Sequence, residues 1–497
     1  MIVERRRPVF DRIAPAGSPG RLAALTPPRP AERKRMQRLS GLDASFLYLE
    51  TPAQPLHVCA ILELDAATVP GGYSFARLRE ELGVRIKSIP EFRQRLADSR
   101  LNLDHPVWVE DHSFDLDRHL HRIGLPAPGG RVELSDTCGR IASLPLDRGQ
   151  PLWEMWVIEG IAGTDARAGG RLAVMTKVHH ASVDGVGGAN LLSQLCGTEP
   201  DTPAPKAVDG PGDTNSVGMA VRGLAKFVAR PLQLATVVPM TVSTIVDTVR
   251  RGRSGRAMAA PFRAPRTPFN DSITRRRNIA YARLEFDDIK TIKNRFNVTV
   301  NDVVMALCAG VLRKFLLDRG QLPNTSLVAT VPVSVHQKSD RPGRNQLTAL
   351  FSRLQTQIAD PADRLRAIAH ANGVAKEHSA AIGATLLLDW AQFAGRALLA
   401  PAVGLFASTV LTRRPVHNLV ISNVPGPQVP LYFLGCQVKA MYPLGPIFYG
   451  TGLNITVMSL TGKLDVGINS CWELVPDVWD LADDFEVALQ ELLTAAA

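Results

Sequence analysis

The chain has 497 residues with 45% hydrophobic content, too long for one compact core and too apolar for wholesale disorder. Its formal charge is +10, but residues 1–40 hold ten Arg or Lys against Glu4, Asp11 and Glu32, so +7 of that charge lies in the first forty positions. The remainder is nearly balanced, which argues against a nucleic-acid-binding body.

Residues 1–35 are basic and rich in Pro, Gly and Ala, the composition of a flexible extension. They read as an arginine-rich leader, as a contact for anionic lipid, or as sequence ahead of a true start at Met36. No signal-peptide apolar run follows the early arginines. The six cysteines are widely spaced and include no CxxC, which fits reduced, apolar core positions and gives no zinc pattern.

"HVCAILELD" (57–65) predicts a strand with partly alternating apolar residues. Residues 75–96 predict two helical stretches divided by Pro90, with Leu78, Leu82 and Ile86 on one face of the first. "HPVWVED" (105–111) predicts a strand, and 114–126 an irregular or short helical segment. "LPLDRGQPLWEMWVIEG" (144–160) runs from loop into strand. Residues 170–181 form a β-rich run that ends on a pair of histidines, and "GVGGANLLSQLC" (185–196) turns helix-like after its glycines.

Composition changes near residue 197, where a Pro-, Gly- and Asp-rich stretch marks a linker or long loop. The segment 219–248 is helix-compatible, with Arg222, Lys226 and Arg230 spaced by four. It is either a packed helix with one wet face or a helix lying on a membrane surface. A second domain opens with a strand over 278–286, a short helix over 287–295, a longer one over 300–318 and a strand over 326–335. Residues 380–411 are nearly all apolar but are broken by Asp389, Arg396 and Pro401. A buried helix pair fits them better than a transmembrane hairpin. The stretches around 416–427 and 449–471 are rich in strand formers. The expected organisation is an extension (1–35), an N-terminal domain (36–197), a linker with an apolar helical segment (198–270) and a C-terminal domain (271–497).

"KVHHASVDGVGG" (177–188) carries the chemistry. Adjacent histidines on a strand point to opposite faces and do not readily share an ion. With no HExxH and no third ligand nearby, a metal site is disfavoured. An imidazole accepts a proton near neutral pH, so His180 is a candidate general base, with two ordinary histidines as the competing reading. Asp184 is close enough in sequence to brace the His180 segment, or else pairs with a distant arginine and holds the loop shape, and Gly185 allows a sharp reversal. No GxSxG, P-loop or GxGxxG is present.

HHxxxDG at 179–185 is similar to the signature of the CoA-dependent acyltransferase superfamily. Together with "MQRLSGLDASFLYLETPAQPLHV" (36–58), Pro151-Leu152-Trp153, "TPFN" (267–270), Asn301-Asp302, "VPVSV" (331–335) and "SNVPGP" (422–427), all in family order, the chain resembles the bacterial wax ester synthase/diacylglycerol acyltransferases of the actinobacterial triacylglycerol synthase type. The likeness spans about 36–494. It departs from the family pattern at Ser182, where a bulkier apolar residue is common.

That resemblance implies an α/β (α+β) fold of two chloramphenicol-acetyltransferase-like domains with the active-site channel between them. It implies that His180 deprotonates the hydroxyl of diacylglycerol or a long-chain alcohol for direct attack on a fatty acyl-CoA, giving triacylglycerol or wax ester. Asp184 would hold the loop and His179 would pack or fix the tautomer. Asn301 would either stabilise the oxyanion or act as the N-cap of the 300–318 helix, with Asp302 in its first turn. Pro151 and Leu152 would position a strand, and Trp153 would line the channel or fill core. Asn423 would belong to a rigid turn near the cleft. Arg275, Arg276 and Arg277 are candidate contacts for the CoA phosphates, or else a solvated charge run. No metal or cofactor is expected beyond the acyl-CoA substrate. A cytoplasmic protein resting on the inner membrane or on lipid droplets is implied. The alternatives are a condensation-type transferase using a carrier-bound acyl group, or a lipid-binding protein that has lost the chemistry.

Overall fold

The computed structural model describes residues 37–97, 105–162, 170–182, 194–207, 258–259, 262–334, 347–382 and 415–497. Asp184, Gly185, the extension (1–35), the segment 219–248 and nearly all of 380–411 lie outside them.

The first half opens with β1 (Gln37–Arg38), α1 (Gly41–Leu49) and β2 (His57–Asp65). Then come α2 (Phe75–Ile86), β3 (Gln94–Ala97), β4 (Val107–Glu110), β5 (Leu120–Gly124), α3 (Arg131–Ser143), β6 (Trp153–Glu159), β7 (Arg171–His179) and β8 (Cys196–Gly197). The second half holds β9 (Arg277–Glu285), α4 (Phe286–Phe296), α5 (Val300–Asp318), β10 (Val328–Ser334), β11 (Leu347–Arg353) and α6 (Pro361–Ile382). It continues with β12 (Leu419–Pro425), β13 (Tyr432–Phe433), β14 (Cys436–Leu444), β15 (Leu453–Leu460), β16 (Lys463–Cys471) and α7 (Val478–Ala496).

These strands build two large mixed sheets. One runs β5-β6-β7-β2-β14-β13-β8, the other β11-β10-β12-β15-β16-β9; a small third sheet is β1-β4-β3. The fold is α+β. The late strands β13 and β14 pair into the sheet of the first half, β14 against β2. The division between sheets therefore does not follow the division along the sequence.

β2 is buried on both faces, which explains its incomplete alternation. Ala60, Leu62 and Leu64 pack with Leu78, Leu82 and Ile86 of α2, as their helical spacing predicts. Cys59 and Ile61 pack on the other side with Leu134, Cys138 and Ile141 of α3. In the second half, α5 is buried on nearly all sides beneath α7 and the six-stranded sheet, the position expected of a helix apolar all round.

Pro90 does not divide two helices. After α2 the chain makes a 3-10 turn over Pro90–Arg93 and enters β3. The four residues of that turn do not extend into a second helix, and Gln94–Ala97 instead pair with β4.

The layers built on the two large sheets meet closely. Gly139 of α3 lies so near β9 that a Cβ on it would stand 2.7 Å from the Arg277 carbonyl. A Cβ on Gly467 of β16 would stand 1.9 Å from the Pro443 carbonyl of β14. Only glycine permits these backbone approaches.

Candidate active site

The histidine pair sits where β7 leaves its sheet. β7 lies between β6 and β2, and His57 of β2 is the direct cross-strand partner of His179. The His179 N–H donates to the Leu152 carbonyl on one side, and the His180 N–H donates to the Leu56 carbonyl on the other, at 3.0 and 2.9 Å. The backbone of both histidines is thereby fixed by the two neighbouring chain segments.

Their side chains have different surroundings. His179 is fully buried. Its Nδ1 accepts the Ala181 N–H at 3.0 Å, which leaves the proton of the neutral ring on Nε2. That Nε2 lies 3.4 Å from Oε1 of Glu50, and the Nε2 of His57 lies 3.3 Å from the same oxygen. Both rings are at ion-pair distance without the alignment of a full hydrogen bond. The other oxygen of Glu50 accepts from the Arg148 guanidinium at 3.0 Å or less, and Arg148 also donates to the Leu47 carbonyl at the end of α1.

Burial alone would raise the Glu50 carboxyl, but His179 and His57 outweigh it and hold the group far below the usual carboxylate range. Burial pushes His57 down to about 4, against the pull of Glu50. At neutral pH the cluster is therefore an ionised Glu50 beside a neutral His57.

His180, by contrast, is partly exposed and stacks on Phe46 of α1, with ring centroids 4.0 Å apart and planes 15° from parallel. α1 is held at its start by a reciprocal capping box between Ser40 and Asp43. Leu47 and Tyr48 pack it against Leu152, Trp108 and Ala181.

Pro151, Leu152 and Trp153 form the entry to β6. Leu152 packs behind the histidine turn. Trp153 fills core: its indole donates to the Phe92 carbonyl at 2.8 Å and stacks on His119 at 4.6 Å.

The loop between α1 and β2 ties this corner to the second half. Tyr449 donates its N–H to Gln54 Oε1 at 2.8 Å and its hydroxyl lies 3.1 Å from the Thr51 hydroxyl. Arg277 donates to the Ala53 carbonyl at 2.9 Å. Arg277 is thus not a surface cation. It is buried, its pKa is pushed down to about 10 by burial, and it donates to the carbonyls of Thr274, Arg276 and Ala53. Arg276 remains exposed, over the Trp472 ring and 3.6 Å from Glu473, and Arg275 is exposed.

Two further expectations need correction. The N-cap of α5 is Thr299, not Asn301; Asn301 is the second residue of the helix and is partly exposed. Asp302 closes a capping box with Thr299 and accepts from Asn372 at 2.7 Å, and Asn372 in turn accepts from the Ser352 hydroxyl. Asn423 is not in a turn. It is paired within β12 opposite Val457, and the chain leaves the strand only at Gly426.

Sequence reasoning did not single out Glu50, His57, Arg148 or Phe46 as site residues. "LYLE" and "PLHV" read as helix end and strand start, and only the pairing of β2 with β7 brings them to the histidines.

A partly exposed histidine beside a buried, carboxylate-held one, on a two-sheet α+β scaffold and within an HHxxxDG sequence, fits the class of acyl-transfer proteins. Comparison with known proteins makes it specific. Residues 39–304 match the wax ester synthase/diacylglycerol acyltransferase catalytic domain, and 344–493 match the C-terminal domain of the same family. A Mycobacterium tuberculosis protein provisionally named a diacylglycerol O-acyltransferase is 59% identical over 458 residues, 92% of this chain and 90% of that one. The structure of a wax ester synthase/diacylglycerol acyltransferase from Marinobacter aquaeolei VT8 is similar with a TM-score of 0.67 and 30% identity, over 93% of this chain and all of that one. The first condensation domain of the calcium-dependent antibiotic synthetase shares the fold alone, with a TM-score of 0.56 at 16% identity over 94% of this chain and 98% of that one. The chain belongs to the wax ester synthase/diacylglycerol acyltransferase family and has the acyl-CoA-dependent O-acyltransferase activity characteristic of it. Among the described residues no helix is long and apolar enough to cross a membrane, and no group of three or more His, Cys, Asp or Glu is placed to hold a metal.

Proposed function

We propose that His180 is the general base of a diacylglycerol O-acyltransferase that also accepts long-chain alcohols. The carrying observation is the asymmetry of the pair: His179 is buried and committed to Glu50 and Ala181, whereas His180 is partly exposed at the end of β7. The imidazole of His180 takes the proton of the acceptor hydroxyl as its oxygen attacks the thioester carbonyl of acyl-CoA. Collapse of the tetrahedral intermediate expels the CoA thiolate, which recovers the proton from the imidazolium. No acyl-enzyme forms.

The site opens into a channel between the two halves. The contacts of Tyr449 and Arg277 with the loop before His57 support this, because they set the histidine turn beside the seam. Asn301, near the electropositive start of α5, is the candidate donor to the oxyanion, and Asp184 keeps the turn in shape. Arg275 and Arg276 are the candidate cations for the CoA phosphates. Acyl-CoA and a lipid acceptor bring the protein to a membrane or lipid-droplet surface, where it binds peripherally from the cytoplasmic side.

The test is His180→Ala, assayed for CoA release and by thin-layer separation of lipid products with diacylglycerol and fatty alcohol as acceptors. A folded variant that makes neither ester supports the assignment, and one with near-normal turnover removes it. Transfer from acyl-carrier protein but not from acyl-CoA would move the protein to the condensation class. Vesicle binding without product would make it a lipid-binding protein.

A further inference from the structure

α1 touches both members of the histidine pair. Phe46 lies flat on His180, and one turn later Glu50, at the helix end, faces His179. We propose that Phe46 is a positioning residue for the transfer reaction, whose ring sets the plane of the His180 imidazole and keeps water from one of its faces. This rests on the reading of His180 as the base.

The physical need is specific. A neutral imidazole accepts a proton through a lone pair in the ring plane, so rotating the ring misdirects the base even if its Cβ stays fixed. The terminal torsion of histidine is broad and does not fix that plane by itself. The backbone of His180 is fixed by its hydrogen bond to Leu56, which leaves the ring torsions to be set by neighbours. A parallel aromatic face 4.0 Å away restricts them. Phe46 is itself well placed for this. Its helix is capped at Ser40, packed through Leu47 on Leu152 and Ala181, and tied at its far end by Arg148. An aliphatic side chain of similar volume would fill the space without providing a plane.

The experiment uses the full chain and compares Phe46→Leu, Phe46→Met and Phe46→Tyr with the parent and with His180→Ala. Steady-state rates are measured against a long-chain acyl-CoA with a saturating lipid alcohol, from pH 5.5 to 9, with thermal midpoints in parallel. In Phe46→Leu and Phe46→Met we expect kcat to fall about tenfold, equivalent to about 1.4 kcal/mol of barrier. KM for acyl-CoA should change less than about twofold, since ground-state binding is untouched. The acid limb of the kcat profile should move, and Phe46→Tyr should restore most of the rate. Placed on His180→Ala, Phe46→Leu should cost nothing further. Parental kcat and pH profile in either folded aliphatic variant overturn the proposal. So does an equal loss in Phe46→Tyr, or a loss that persists undiminished on His180→Ala. Should one aliphatic variant not fold, the other and Phe46→Tyr still decide. Near-parental activity in His180→Ala refutes instead the underlying assignment of the base.

Discussion

Glu50 Oε1 stands 3.4 Å from Nε2 of His179, so the first histidine of the pair faces the carboxylate at the end of α1. With Nδ1 accepting from Ala181, the His179 ring is locked in one tautomer and becomes part of the frame that carries His180. The same carboxylate faces His57 and Arg148, so one acidic side chain ties α1, β2, β7 and the loop before β6 together.

Replacing Glu50 by Gln keeps the shape and removes the charge. Arg148 is partly exposed and can be rehydrated, but His57 and His179 are buried and lose their partner. We expect a loss of about 1–3 kcal/mol in denaturant unfolding. A larger proportional loss in kcat than in KM should follow, because the frame of the base loosens while the substrate surfaces stay. Unchanged stability together with unchanged kcat would show that the cluster is not what holds the turn.

His57 gives the pH dependence a definite sign. Its folded pKa of about 4 lies below the ordinary value of 6.5, so the unfolded chain binds a proton there that the folded chain refuses. Stability is therefore complete above about 6.5 and declines as pH falls from 6.5 toward 4. His57→Gln cannot titrate and should flatten the fall in thermal midpoint across that window, even though its midpoint at pH 7.5 is lower than the parent's. A parent and variant that lose stability in parallel from pH 6.5 to 4.5 would assign the acid sensitivity elsewhere.

Much of the scaffold was legible because single segments carry it. β2 runs over the same nine residues that its apolar pattern predicts, and α5 over the expected 300–318. α3 was not anticipated: its buried residues include Ser135, Thr137 and Gly139, so no clean apolar stripe marks it. α7 does carry a regular apolar stripe, through Val478, Leu481, Phe485, Leu489 and Leu492. Residue type and motif mark the second histidine as the candidate base, and the structure places it partly exposed at the end of β7. Glu50 and Phe46 are not marked in this way, because their role depends on a cross-strand pairing and a helix end, and neither leaves a periodic trace. Asn301-Asp302 was half legible. The pair does open a helix, but Thr299 takes the cap because its hydroxyl bonds the Asp302 N–H in the reciprocal box.

That same helix start separates two neighbouring residues. Asp302 is buried and accepts from Thr299 and Asn372, so Asp302→Ala removes a cap and leaves Asn372 without its acceptor. A loss of about 2–4 kcal/mol is expected in urea unfolding. Asn301→Ala should change stability by less than about 0.5 kcal/mol, as for a partly exposed position. As an oxyanion donor it should lower kcat by about 10²–10³-fold. If Asn301→Ala leaves kcat near the parental value, the oxyanion donor lies on another element.

The contact between the two large sheets contains a carboxyl held in an unfavourable state. Asp465 of β16 is fully buried, accepts the Met441 N–H of β14 at 2.9 Å, and lies 3.0 Å from the Arg283 guanidinium. Burial nevertheless pushes it up to about 7, with Glu63 on the facing β2 adding repulsion and Lys463 adding attraction. Its folded pKa exceeds the unfolded value of 3.8, so the folded chain holds the proton more firmly. Stability from this group is full below about 4 and falls as pH rises through 7. Asp465→Asn keeps an oxygen for the Met441 N–H and cannot ionise. It should raise the thermal midpoint at pH 8 relative to the parent by clearly more than at pH 5. A variant less stable at pH 8 would mean that the Arg283 ion pair outweighs the burial of the charge, and that the seam is held by the ionised carboxylate.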